Sequence, residues 1–502
     1  MEKLTSVLLA LLLLASYGMM VGCSETTVEE EETTDSAEVS GGEVEETVAE
    51  EEEEVTATSM ITERHTGTDL GGYEYKVLAP ATGEHFYNNI ASGINEVYVE
   101  EATGEVLNDA IYQRNLSTEE LLNITVSPVW STGDTSGITT QLNNEVLAGS
   151  TGYDTVLNRM DFLGTSMQNG NLLNIKNISS IDTDDLWWDK NIVDAFTLFG
   201  SKLYFISGDI NIFDDFAVEV IYFNKRICDD NALAYPYADV LEGTWTIDKF
   251  YEMAKTVELD MNGDGKLDIA NDVVGHTEQN DHIKHWIYAL GEKSIDINAD
   301  GSLELMITME RQVSVVDKLY QVMVESAMTY TATPDNFLTG CSLFQGDMLG
   351  AINKFRDMED AFGVIPMPKY DENQESYGEY VSNGWTTAYG IPMTNQNPEQ
   401  TGIILDTLCG YSTDTLRVAL YDVLFSAKLV RDTESVEMLD IIFASKSYDW
   451  AVDFSWGSNF ATIYNNVYNN KTNNYVSDAA KSQKAIVKII ERLVTKIQEL
   501  EY

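Results

Sequence analysis

Apolar positions in this chain change period along its length, and the changes mark its elements. Tyr73-Glu74-Tyr75-Lys76-Val77-Leu78-Ala79 opens as an alternation and closes as an apolar run, which predicts the first strand of the folded body. A helical pattern through Leu107, Ile111 and Leu121 leads to a second strand at 124–126, and a third is predicted at 153–157. Strands separated by helical stretches predict an α/β sheet. Thr246 is placed to cap a helix bearing Phe250, Met253, Ala254 and Val257. Asn397-Pro398-Glu399-Gln400 reads as a capping box with proline at the first helical position, and Asp432 is placed to cap Val436, Leu439 and Phe443. Ile486, Ile489, Ile490, Leu493 and Ile497 share one face of a C-terminal amphipathic helix whose charges argue against membrane insertion.

The first residues follow other rules. Lys3 precedes an apolar run at 4–15, too short for a comfortable membrane span, and small residues lead to Met20-Val21-Gly22-Cys23. This is a secretory signal whose end resembles a bacterial lipobox, with Met20 where leucine is usual; the resemblance implies cleavage at 22 and diacylglycerol on Cys23. The plainer alternative is an ordinary signal peptide with a chance cysteine. Residues 24–54 hold 15 acidic residues and no Lys or Arg. Self-repulsion and low apolar content predict a disordered tether over 23–66 rather than packed structure.

Composition narrows the function. The 502 residues carry 83 acidic and 30 basic side chains, a net charge of −53, and the acidity extends past the tether. Nucleic acids and anionic lipid surfaces need basic patches and are excluded as main ligands. Cys23, Cys228, Cys341 and Cys409 show no zinc or redox spacing; two of the last three could bridge, and sequence does not decide it.

Several segments in fixed order carry a family resemblance. They are Phe199-Gly200-Ser201-Lys202-Leu203-Tyr204 through Gly208-Asp209, then Val220-Ile221-Tyr222-Phe223-Asn224-Lys225, then Glu242-Gly243-Thr244-Trp245-Thr246 leading to Phe250. Phe362-Gly363-Val364-Ile365-Pro366-Met367-Pro368, Gly390-Ile391-Pro392 and the stretch 431–442 continue the series. The order resembles the extracellular solute-binding proteins (family 1) of bacterial ABC importers, in particular Clostridia-type, sugar-binding lipoprotein members. The resemblance implies a type II periplasmic-binding-protein fold: two α/β lobes joined by crossover strands, with lobe one at 67–215 and 362–430 and lobe two at 216–361 and 431–502. It also implies a monomer on the outer face of the cell membrane that closes on a solute by hinge motion and hands it to a permease.

An aromatic-rich, acidic body without clustered Arg or Lys favours a neutral sugar or oligosaccharide, because sugar C–H faces stack on rings while hydroxyls need polar partners. Oligopeptides and polyamines are the alternatives. Ligands of open α/β sheets sit beyond the carboxyl ends of the strands. That rule selects Trp385, Trp456, Asp209, Arg356, Trp130, Arg159 and Trp450 as candidate ligand contacts, with Trp187-Trp188-Asp189 divided between binding and packing. Each of these rings has core packing as its plain alternative.

Asp260-Met261-Asn262-Gly263-Asp264-Gly265-Lys266-Leu267-Asp268 starts like an EF-hand loop. The candidate Ca²⁺ set is Asp260, Asn262, Asp264, Lys266, Asp268 and Asp272, and Asn271 stands where the closing carboxylate belongs. A metal-free surface turn is the alternative. His282 and His285 read as ordinary surface histidines on a helix face. No Gly-x-Ser-x-Gly, His-Glu-x-x-His or Walker motif is present. The expectation is therefore a binding protein rather than an enzyme, against the alternatives of a glycan hydrolase working through paired carboxylates and a glycan-binding adhesin.

Overall fold

The predicted first strand forms where its pattern placed it, with Tyr75, Val77, Leu78 and Ala79 buried. The computed structural model describes residues 55–80, 95–131, 135–149, 152–278, 285–326, 329–331, 334–355, 358–382, 384–426, 433–454 and 459–500. The signal segment, Cys23 and most of the acidic tether lie outside the described residues, as does Asp432.

In chain order the strands are β1 (Tyr73–Ala79), β2 (Ile124–Trp130), β3 (Thr155–Arg159), β4 (Glu219–Asn224), β5 (Val274–Glu278), β6 (Ile295–Ile297), β7 (Leu303–Leu305), β8 (Thr329–Thr331), β9 (Ser342–Met348), β10 (Phe362–Ile365), β11 (Glu379–Tyr380), β12 (Thr387–Gly390) and β13 (Lys446–Ser447). Two sheets organise the body. The first runs β12-β3-β1-β2, with β12 the only antiparallel member; the second runs β10-β4-β9-β5-β8, with β4 antiparallel to both neighbours. Helices Val106–Leu122, Pro398–Asp414 and Leu416–Ser426 pack with one another beside the first sheet, and helix Ile247–Val257 lies on β5 and β9. The described residues thus form a mixed α/β body built on two main sheets. Among the described residues no helix is long and apolar enough to cross a membrane.

Sheet membership corrects the expected boundaries. β10 pairs with β4, so residues 362–365 belong to the second sheet, and the return to the first comes later, at β12. The two crossovers run side by side: Val218 bridges Val381, and Ser382 N–H donates to Ala217 O at 3.0 Å. The chain crosses again at β13, which pairs in parallel with β11.

The tether also ends earlier than composition suggests. Ala57–His65 is a helix capped by Thr56, whose hydroxyl accepts from Ser59 N at 3.1 Å. Ile61 is buried beneath it, and Arg64 forks onto Asp185 (Nη1–Oδ2 2.6 Å, Nη2–Oδ1 2.8 Å) over the Trp187 ring. One buried isoleucine and one bidentate arginine outweigh the acidic surroundings.

Thr246 caps its helix as expected, accepting from Lys249 N at 3.4 Å. The Asn397 box does not close. Asn397 makes no side-chain cap bond and its N–H donates to Asn395 Oδ1 at 2.8 Å, while Glu399, one position before the box's Gln400, accepts from Ser179 N, Ser179 Oγ and Ser180 N at 2.9–3.0 Å, fastening that helix start to the loop at 178–180. Cys228, Cys341 and Cys409 are buried free thiols.

Candidate functional site

Connectivity defines where the lobes face each other. The outgoing crossover delivers the chain to Glu219 at the start of β4, and the returning one leaves Ile365 at the end of β10 and enters β12 at Thr387. Glu219 sits opposite Met348, the last residue of β9, and Thr387 sits opposite Arg159, the last residue of β3. Both sheets therefore turn the carboxyl ends of their main strands towards the crossovers, the position in which open α/β sheets bind ligands.

On the first sheet three expected residues stand at strand termini on the side of the crossovers. Trp130 ends β2, with β1 between it and β3, and is 39% exposed, a large ring left at a strand end. Both strands run further than their patterns indicated, so Trp130 and Arg159 are terminal strand residues rather than loop residues. Arg159 forks onto Asp161 (Nε–Oδ1 3.1 Å, Nη2–Oδ2 2.6 Å) and lies over the Phe162 ring. Burial pushes the Asp161 carboxyl up, against the pull of Arg159. Trp385 is half-buried two residues before β12, in a turn where its N–H donates to Ser382 O at 2.9 Å. A β-carbon on Gly384 would stand 3.8 Å from Arg159 Nη2, so the turn lies beside the guanidinium. Two indoles and an oriented Arg–Asp pair along one edge can stack on a ring and hydrogen-bond its hydroxyls.

The second sheet contributes side chains that pattern reading missed. Glu219 opens β4, Glu278 ends β5 and Asp347 is next to last in β9, each at most 3% exposed at the crossover edge. Trp286 Nε1 donates to Glu278 Oε2 at 2.9 Å. His285, expected on a surface helix, is buried instead: Nδ1 lies 3.1 Å from Glu219 Oε1, and its ring stacks on Tyr380 with centroids 4.5 Å apart. The available signal was acidic residues at or next to strand ends.

Other expected residues have structural positions. Trp450 is 2% exposed in a short helix, its Nε1 bonded to Ala195 O at 2.7 Å and its ring against Phe196 and Phe454. Trp187 donates to Asp406 Oδ1 at 2.9 Å, Trp188 is buried, and Asp189 caps helix Lys190–Phe196. Asp209 accepts from Thr413 Oγ1 at 2.7 Å and lies 3.7 Å from Arg417, within a buried ionic cluster on the crossover; burial pushes its carboxyl up to about 6. Trp456 and Arg356 lie outside the described residues.

In the Asp260 loop the carboxylates accept from their own backbone. Asp260 takes Gly263 N and Gly265 N (2.6 and 2.8 Å), Asp264 takes Lys266 N, and Asp272 closes the loop through Met261 N and Asp268 N (both 2.9 Å). Among the described residues no group of three or more His, Cys, Asp or Glu is placed to hold a metal ion. A cavity of about 580 Å³ lies away from the strand ends, beside Gly243, Lys369 and Tyr377.

Comparison with solved structures places the fold. The chain is similar to a cyclo/maltodextrin-binding protein complexed with maltotetraose (15% identity, TM-score 0.53, 86% of this chain and 98% of that one). It is similar to UgpB from Mycobacterium tuberculosis in complex with glycerophosphocholine (14%, TM-score 0.53, 84% and 99%). It is also similar to an ABC substrate-binding protein of Listeria monocytogenes in complex with cycloalternan (14%, TM-score 0.50, 84% and 99%). No protein-family model matches the sequence, and no curated relative matches it.

Proposed function

We propose that this chain is the substrate-binding component of a bacterial ABC importer, which captures a carbohydrate or oligosaccharide between its lobes and passes it unaltered to a permease. The observation that supports the reading is the placement of Trp130, Arg159 with Asp161, and Trp385 at strand termini of one sheet on the side of the crossovers. Neutral rings with hydroxyl groups match that set, since indole faces take C–H surfaces and the Arg–Asp pair offers both donors and acceptors. The solved neighbours include proteins with maltotetraose and cycloalternan bound, which supports the same class of ligand. A solute that touches both lobes only when they are shut stabilises the shut state, and that state is what a permease would read. In this reading Cys23 carries the lipid that holds a monomeric, Clostridia-type lipoprotein outside the cell.

A thermal-shift screen over mono- and oligosaccharides, with amino acids and polyamines as controls, tests the proposal. A stabilising sugar, recovered chemically unchanged after incubation, is expected. Stabilisation by controls alone, or release of shorter sugars, would overturn it.

A further inference from the structure

The outgoing crossover carries a four-residue helix, Phe213–Phe216, and both of its acids are buried. Lys446, in β13, reaches into it. Its Nζ donates to Asp214 Oδ2 at 2.7 Å and Asp215 Oδ1 at 3.0 Å, and pairs with Asp189 Oδ2 at 2.8 Å. Asp189 belongs to the first-lobe helix Lys190–Phe196, and β13 pairs with β11 on the returning crossover. One ammonium thus ties both crossovers to a lobe. Arg417, from helix Leu416–Ser426, adds a second cation, 3.0 Å from Asp215 Oδ2 and 3.7 Å from Asp209 Oδ1. The other groups facing the cluster are the Tyr448 hydroxyl on Asp189 (3.4 Å), Thr413 on Asp209, and Tyr421 with Asp440 beside Arg417.

Four carboxylates here face two cations, and Asp214 Oδ1 is buried with no hydrogen-bond partner among the described residues. An unbalanced charge in a dry site is relieved most simply by a proton. We propose that this cluster is a proton-operated latch on the hinge. With the proton present the crossovers are clamped together, and its loss leaves excess negative charge that loosens them and eases the swing between the lobes.

The latch rests on the two-lobe capture reading for its purpose but not for its test. Burial, reinforced by the Asp215 and Asp189 charges and opposed by Lys446, pushes the Asp214 carboxyl up to about 8, while Asp209 stands at about 6. Both folded values lie above the unfolded ones, so the folded chain binds the extra proton below this range. The clamp is complete at low pH and is lost as pH rises through about 6 to 8.

Small-angle scattering of the ligand-free protein across that pH range reads the hinge. The radius of gyration is expected to grow with pH in the natural chain, and in Asp214→Asn to stop growing once Asp209 has ionised near 6, since residue 214 can no longer ionise. A level profile in the natural chain, or the same rise in Asp214→Asn, overturns the latch. Infrared titration of the natural chain gives a readout that needs no variant: a protonated-carboxyl band that fades between about pH 6 and 8 is expected. No band in that range overturns the proposal even if Asp214→Asn does not fold. A failed sugar screen with an intact pH profile would remove the capture reading and leave the latch standing.

Discussion

Glu96 is the most informative single residue for the rigidity of the hinge. Its Oε1 accepts from Ile212 N at 2.7 Å and Phe213 N at 3.2 Å on the outgoing crossover, and its Oε2 accepts from Thr387 Oγ1 at 2.6 Å at the start of β12. The side chain is 2% exposed, so Glu96→Ala leaves three donors buried without that acceptor. At about 1–3 kcal/mol for each orphaned donor, less what the buried carboxyl itself costs to desolvate, the expected loss is about 3–5 kcal/mol. Glu96→Gln keeps an acceptor for the two amides and should lose about 1 kcal/mol. Burial holds the Glu96 carboxyl above its usual range, against the pull of its hydrogen bonds. The folded chain therefore binds that proton more tightly than the unfolded one, and stability from this group falls as pH rises past the ordinary glutamate range. Urea denaturation at several pH values measures all three quantities. An alanine variant within about 0.5 kcal/mol of the natural chain, or a glutamine variant as damaged as alanine, would refute the reasoning.

Trp385→Ala should weaken sugar binding by about 1–3 kcal/mol in calorimetry with the melting temperature little changed, whereas Trp450→Ala should lower stability by about 3–5 kcal/mol because its ring fills a packed aromatic site. Equal effects on binding and stability in both variants would remove the distinction between the two rings. Gly208→Ala would drive a β-carbon to within 2.2 Å of Trp187 O and 2.9 Å of Cys409 Sγ at the start of the outgoing crossover. It should destabilise the chain by about 1–3 kcal/mol, and a neutral result in thermal denaturation would show that the backbone there yields easily. Asp272→Ala removes the acceptor of Met261 N and Asp268 N, so the loop should lose about 1–3 kcal/mol; calcium titration of the natural chain decides whether the loop also takes a cation, with no heat and no melting shift excluding it. Cys23→Ala should release the protein from the membrane fraction, and continued lipid labelling of that variant would sink the anchor.

What could be read from the sequence was whatever depends on neighbours along the chain. β1, the Thr246 cap and the C-terminal helix obey period and capping rules that act over a few residues, and all three formed as expected. Trp130 and Arg159 do end their strands, because a strand's direction and last residues are local properties. The strand-end rule also selected Trp450, and there it could not see that Ala195, more than two hundred residues earlier, would meet the indole. The Asn397 box failed for a local reason instead: the Asn397 N–H that Gln400 would hold donates to Asn395 Oδ1 at 2.8 Å.

The ionic cluster on the crossovers shows why such sites stay hidden. Lys446 meets Asp214 across 232 positions, and nothing near either residue marks it as buried. In a chain with 83 acidic side chains a further aspartate carries no information until its solvent is removed. Burial changes that, because a carboxylate withdrawn from water must find a cation, a donor or a proton. The end of β3 uses the cation solution, in the Arg159–Asp161 fork. The crossover has more carboxylates than cations and is left with the proton. The excess acidity that looks uniform in the sequence therefore has two different consequences in the fold, a carboxylate paired with an arginine at Asp161 and a cluster richer in carboxylates than cations on the crossover.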